Sequence, residues 1–190
     1  MFAQISELLV DALAGFVVFL LLARFLMQWL RVPFRNPAGE FVIATTNWAV
    51  LPLRRVIPSV AGLDLASLIA AWLAQMLALW AVAALRGWAL GTLPGTAVAI
   101  LAAVALVDLI RFGCYILAFA VIVQAVLSWV SPYSPVAPIF DAMPRPFLQP
   151  VRRFVPPLAN VDLSPLVLLI LLQVLLIPLA HLRALAGGLF

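Results

Sequence analysis

Two arginine pairs, Arg54-Arg55 and Arg152-Arg153, stand between prolines in otherwise apolar surroundings. A guanidinium at headgroup depth binds phosphate bidentately while its stem lies along the apolar boundary. The pairs are therefore candidates for holding anionic lipid headgroups or an acidic partner. The simpler reading is that they only set membrane orientation, as basic residues do in every polytopic protein. An aspartate follows each pair, Asp64 and Asp162, just ahead of a long apolar stretch. There a carboxylate can cap backbone N–H groups and meet the positive end of a helix dipole. Alternatively it pairs with the arginines of the same or the other loop.

Four further polar side chains interrupt apolar runs. Gln75 and Gln173 lie inside stretches long enough to be spanning helices, where an amide needs a partner. Interhelical hydrogen bonding, worth about 0.6–2 kcal/mol, is the expected use, ahead of a pore lining. Arg24 and Gln124 fall near the loop-side ends of two other apolar runs, where Arg24 can snorkel outward. Asp108 and Arg111, three apart on one helical face, can pair with each other, and Asp11 is expected to be solvated. For an enzyme the inventory is poor. His181 is the sole histidine and Cys114 the sole cysteine, so neither a zinc set nor a histidine-based nucleophile relay can be assembled. No catalytic, cofactor or metal-binding residues are expected, and the chain is read as non-enzymatic.

The elements that position these residues follow from composition. Of 190 residues, 67% are hydrophobic and 9% charged, against about 25% charged in soluble domains. The chain is an integral membrane protein. All eleven basic residues are arginine, too sparse for a nucleic-acid-binding face.

The chain is also a tandem duplication. At one constant shift PLRRVIPSVAGLDLASL, from Pro52, meets PVRRFVPPLANVDLSPL, from Pro150, and Gln75 meets Gln173. Upstream the register slips by two, so that Trp29 meets Trp129 and Arg24 meets Gln124. Each copy reads as apolar helix, arginine-bearing loop, apolar helix. The expected fold is an all-α membrane protein of four transmembrane helices, arranged as two duplicated helical hairpins with proline-rich Arg loops and interfacial helices. The first repeat occupies 1–92, with spans near 6–30 and 66–85. A linking apolar helix occupies 93–106, and the second repeat 107–190, with spans near 110–129 and 165–182. Asn36-Pro37 is a helix start, and the apolar segment 38–51 suits an interfacial helix with Trp48 at headgroup depth. Its repeat partner is more broken by proline.

Arg31, Arg35, Arg54 and Arg55 in one loop, and Arg145, Arg152 and Arg153 in the other, outnumber Arg86 and Arg183 on the opposite side. The positive-inside rule then places both loops in the cytoplasm and both termini in the periplasm.

The duplicated unit, with MQWLR or VLSWV, an NP or SP turn, PLRRVIP or PVRRFVP, and GLDLASL or NVDLSPL, resembles the YggT family over nearly the whole chain. That resemblance implies a small multi-pass protein of the bacterial inner membrane, in the two-copy proteobacterial form associated with osmotic-stress tolerance. Relatives with roles in cytochrome complex assembly and nucleoid distribution imply an alternative, an assembly factor for a cytochrome or division complex. No catalytic residues come with the family. The leading expectation is a protein that organises membrane lipids or partner proteins, itself included as a homo-oligomer. A small channel or transporter component is the other alternative.

Overall fold

The computed structural model describes residues 2–59, 62–87, 95–131, 133–155 and 162–187. Seven helices are described: α1 (Phe2–Trp29), α2 (Pro37–Arg54), α3 (Leu65–Leu85), α4 (Gly95–Val130), α5 (Ala137–Ala142), α6 (Arg145–Phe154) and α7 (Ser164–Gly187). Four of them, α1, α3, α4 and α7, are long and apolar enough to cross a membrane. The chain is an all-helical, multi-pass membrane protein.

The first hairpin closes tightly. α1 ends where Arg31 takes a left-handed conformation (φ 54°), with the Val32 N–H bonded to the Met27 carbonyl at 2.8 Å and Arg31 N–H to Gln28 at 3.2 Å. This is the Schellman pattern that absorbs orphan carbonyls, here with arginine where glycine is usual. α2 then starts as the sequence expects. The Asn36 side chain accepts from the Gly39 N–H at 2.8 Å, and Pro37 occupies the first turn. Gly39 is required sterically, because a Cβ there would stand 2.5 Å from the Phe34 carbonyl oxygen. Along α2, Gly39, Val42, Thr46 and Val50 are buried while Phe41, Trp48 and Leu51 are exposed, the three-and-four spacing of an amphipathic helix. α3 turns Ala66, Ala70, Ala71 and Ala78 inward. Such small residues let helix backbones approach closely without a large apolar side chain between them.

The linking helix expected over 93–106 is continuous with the third span. Residues 88–94 lie outside the described set, and from Gly95 the linker and the third span are one helix to Val130. At about 1.5 Å per residue that helix is longer than a hydrocarbon core of about 30 Å. It stays whole because no proline interrupts it and because its first half packs. Ala97, Leu101, Val104 and Ala105 are buried, and the Trp72 indole donates to the Ala102 carbonyl at 3.0 Å.

The second loop folds into α5 and α6, with Leu148 fully buried and Arg145, Arg152 and Arg153 facing out. Ile139 and Met143 of this loop share one core with Met27, Val32, Val42 and Val50 of the first. Both arginine loops therefore lie at the same end of the bundle. α3 packs against α1, α2 and α4, whereas α7 packs against α4 and α6.

Candidate functional site

The first loop is built around one carboxylate. Asp64 sits at the start of α3, 1% exposed. Arg54, in the last turn of α2, grips it bidentately, with Nε to Oδ1 at 3.2 Å and Nη2 to Oδ2 at 2.5 Å. The Ser67 hydroxyl donates to Oδ2. Arg24 of α1 also approaches, Nε to Oδ2 at 3.8 Å, and donates through Nη1 to Thr46 Oγ1 (2.8 Å) and Asn47 Oδ1 (3.0 Å) on α2. The carboxylate thus ties three helices together. For Asp64 the dominant contact is the ion pair; no side-chain cap hydrogen bond forms, although the Ser67 backbone N–H also favours the charged carboxylate. Burial alone would push this carboxyl up. The hydrogen bonds from Arg54 and Ser67 outweigh it and hold Asp64 below the usual carboxylate range.

Arg24, which could snorkel outward from its place near the loop-side end of α1, is 4% exposed and turned inward. The acceptors decide it. Thr46, Asn47 and Asp64 all lie within reach on the protein side.

In the second loop the same residues make a looser version. Arg152 Nε and Nη2 reach Asp162 Oδ2 at 3.0 and 2.8 Å, but these side chains are 50% and 39% exposed. Asp162 also caps α7, its Oδ1 accepting from the Ser164 N–H at 2.9 Å. Slight burial pushes Asp162 up, and its bonds to Ser164 and Arg152 carry it below the usual range. Gln124, the counterpart of Arg24, donates to Asp141 at 3.2 Å and does not reach this carboxylate. The part of the second motif from Pro156 to Val161 lies outside the described residues.

Each arginine pair is therefore split between two jobs. Arg54 and Arg152 are committed to aspartates, while Arg55 and Arg153 are exposed and, among the described residues, form no ion pair. They stand beside Val56 and Phe154, 79% and 85% exposed.

A second polar cluster, running from the middle of α3 toward the end away from the arginine loops, joins α3, α4 and α7. Gln75 donates to Asp108 Oδ2 at 2.9 Å, the interhelical bond expected of it. Asp108 Oδ1 takes Arg111 at 3.0 Å, the expected pair, and Arg183 Nε at 2.8 Å. Sequence reasoning missed Arg183; its place near the far end of α7 was the available signal. Gln173, the repeat partner of Gln75, is exposed on α7 instead. Asp11 lines a cavity beside this cluster, and Arg86 pairs with Glu7 at 3.2 Å. Among the described residues no group of three or more His, Cys, Asp or Glu could hold a metal ion.

Comparison with known proteins agrees with the duplication. The CCB3/YggT family model matches residues 3–85 and 103–183. An uncharacterized protein of Pseudomonas aeruginosa is 33% identical over 182 residues, covering 94% of this chain and 90% of that protein. An uncharacterized protein encoded in the proC 3′ region of Vibrio alginolyticus is 31% identical, over 87% of this chain and 88% of its own. The uncharacterized Escherichia coli protein YggT is 30% identical over 82% of this chain and 78% of its own. No solved structure matches. Both matched segments contain one arginine loop and its two flanking spans, so this duplicated membrane protein belongs to the CCB3/YggT family.

Proposed function

We propose that the chain is a non-enzymatic protein of the bacterial inner membrane that gathers anionic lipid headgroups at its two arginine loops and thereby supports the envelope under osmotic stress. The observation that carries this reading is the division of labour within each arginine pair. Arg54 and Arg152 fix the loops through Asp64 and Asp162, which leaves Arg55 and Arg153 presented outward beside exposed apolar side chains. That is the environment in which a guanidinium takes a phosphate while its stem stays at the apolar boundary. Trp48, Trp129 and Tyr133, 68%, 88% and 98% exposed, border the same end as an interfacial aromatic belt does. By the positive-inside rule this end faces the cytoplasm, and the start of α1 and the end of α7 face the periplasm.

The test is lipid retention. Full-length protein extracted in mild detergent from a mixed phosphatidylglycerol and phosphatidylethanolamine membrane is expected to carry an excess of phosphatidylglycerol. The Arg55→Gln/Arg153→Gln variant is expected to lose that excess while staying folded. Equal retention by both proteins would overturn the reading. The polar cluster at the far end favours a second reading, a component of a solute path. It predicts flux into proteoliposomes that changes on Gln75→Leu.

A further inference from the structure

At the end away from the arginine loops, α1, α3, α4 and α7 part around a cavity of about 240 Å³. It continues into a wider volume of about 610 Å³ between α3, α4 and α7. Asp11, Leu79, Arg111 and Arg183 line both. The smaller volume reaches Gln75, near the middle of α3.

The charges on its walls are balanced in number but unevenly paired. Asp11 and Asp108 are the acids of the smaller volume, Arg111 and Arg183 its bases. Asp108 is already occupied on both oxygens by Gln75, Arg111 and Arg183. Asp11, among the described residues, forms no ion pair although two guanidiniums line the same space. On the other side, Arg111 Nε is buried without a hydrogen-bond acceptor, a condition that native structures seldom leave unexplained. Arg86, on the wall of the wider volume, pairs directly with Glu7 and is attracted more weakly by Asp11. The walls thus offer one carboxylate with no direct ion pair, Asp11, drawn only at longer range to Arg86, and, across the gap, guanidinium donors that share a single aspartate.

A simple anion entering this space is opposed by Asp11 and Asp108, and a simple cation by Arg111 and Arg183. A ligand that is neutral overall but carries both charges is opposed by neither. We propose that the cavity binds a small zwitterion, a solute or headgroup bearing an ammonium and a carboxylate or phosphate a few bonds apart. Arg111 and Arg183 take the anionic end and Asp11 takes the ammonium. This is occupancy, independent of headgroup binding at the opposite face and of whether solute passes through.

Full-length protein in nanodiscs made only of phosphatidylglycerol would be titrated calorimetrically with glycine, glycerophosphoethanolamine, acetate and ethylammonium. Saturable binding of at least one zwitterion is expected, with acetate and ethylammonium weaker by about tenfold or more. Two variants locate the site. Asp11→Asn removes the ammonium acceptor. Gly15→Leu fills the space from a wall where an added Cβ meets nothing within 4 Å, and leucine is the better helix former. Both are expected to weaken zwitterion binding by about tenfold while leaving the melting temperature unchanged or raised. If glycine binds and phosphatidylethanolamine in the disc does not compete, the ligand is a free solute. If only glycerophosphoethanolamine binds and phosphatidylethanolamine suppresses it, the ligand is a lipid headgroup. Acetate binding as tightly as the zwitterions, no saturable zwitterion binding, or binding unchanged in Asp11→Asn and Gly15→Leu would each overturn the proposal.

Discussion

The two arginine loops carry the same residues and do different physical work. In the first, Asp64 is 1% exposed and holds Arg54, Ser67 and the buried Arg24; in the second, the Asp162 side chain is 39% exposed and holds Arg152 and one backbone N–H. One residue upstream accounts for the contrast. A guanidinium at position 24 has to be matched inside the protein, which draws Asp64 and α2 into the bundle. Gln124 carries no charge and makes no such demand. The duplicated motif is thus a clasp whose strength is set by the helix it closes on, buried and structural in the first repeat, screened and surface-borne in the second.

The sharpest way to break this comparison is to remove each carboxylate in turn. Asp64→Asn leaves Arg24 buried without its counter-charge, a change that typically costs about 3–5 kcal/mol. Asp162→Asn removes an exposed pair and is expected to cost about 1 kcal/mol or less. Reversible unfolding in detergent reads both. Similar penalties would mean that burial does not separate the two loops. Arg24→Gln in the Asp64→Asn background, which makes the first repeat resemble the second, is expected to recover much of the loss.

The spanning glutamines repeat the contrast at smaller scale. Gln75→Leu takes a donor from Asp108 between α3 and α4, with an expected loss of about 1–2 kcal/mol. Gln173→Leu, on an exposed part of α7, replaces an amide facing the apolar surroundings and is expected to be neutral or stabilising. A matched loss at Gln173 would point to an uncounted contact on α7.

What could be read from the chain was what is local or repeated. Asn36-Pro37 starts a helix through contacts within four residues, and the register of the two copies alone aligned Arg54 with Arg152 and Asp64 with Asp162. The inward turn of Arg24 was not legible, because Thr46 and Asn47 meet it only when α2 folds back onto α1. The continuity of α4 through the expected linker was hidden likewise: an apolar run gives no sign of where a span stops unless the packing of Leu101 and Val104 is known. The cavity was least visible, since Asp11, Gln75, Arg111 and Arg183 come from four helices and none of them shares a sequence motif with the others.

Salt and acid give the mildest separation of the loops. Both carboxyls lie below the usual carboxylate range in the folded protein, Asp64 despite burial because of Arg54 and Ser67, Asp162 despite slight burial because of Ser164 and Arg152. A depressed folded-state pKa contributes stability that is fully present above the unfolded value, about 3.9 for aspartate, and is lost as pH falls through the folded one. Melting temperature should therefore fall as pH drops below about 4, and less steeply in either Asp→Asn variant than in the parent. At neutral pH the two pairs part company. The exposed Arg152–Asp162 pair is open to counterions, and at about 1 M ionic strength the screening length shrinks to about 3 Å. The small Asp162→Asn penalty is then expected to vanish, while that of Asp64→Asn persists because Arg24 and Asp64 exclude solvent. Equal salt sensitivity of the two variants would show that both loops are solvated and that the first is no more a buried clasp than the second.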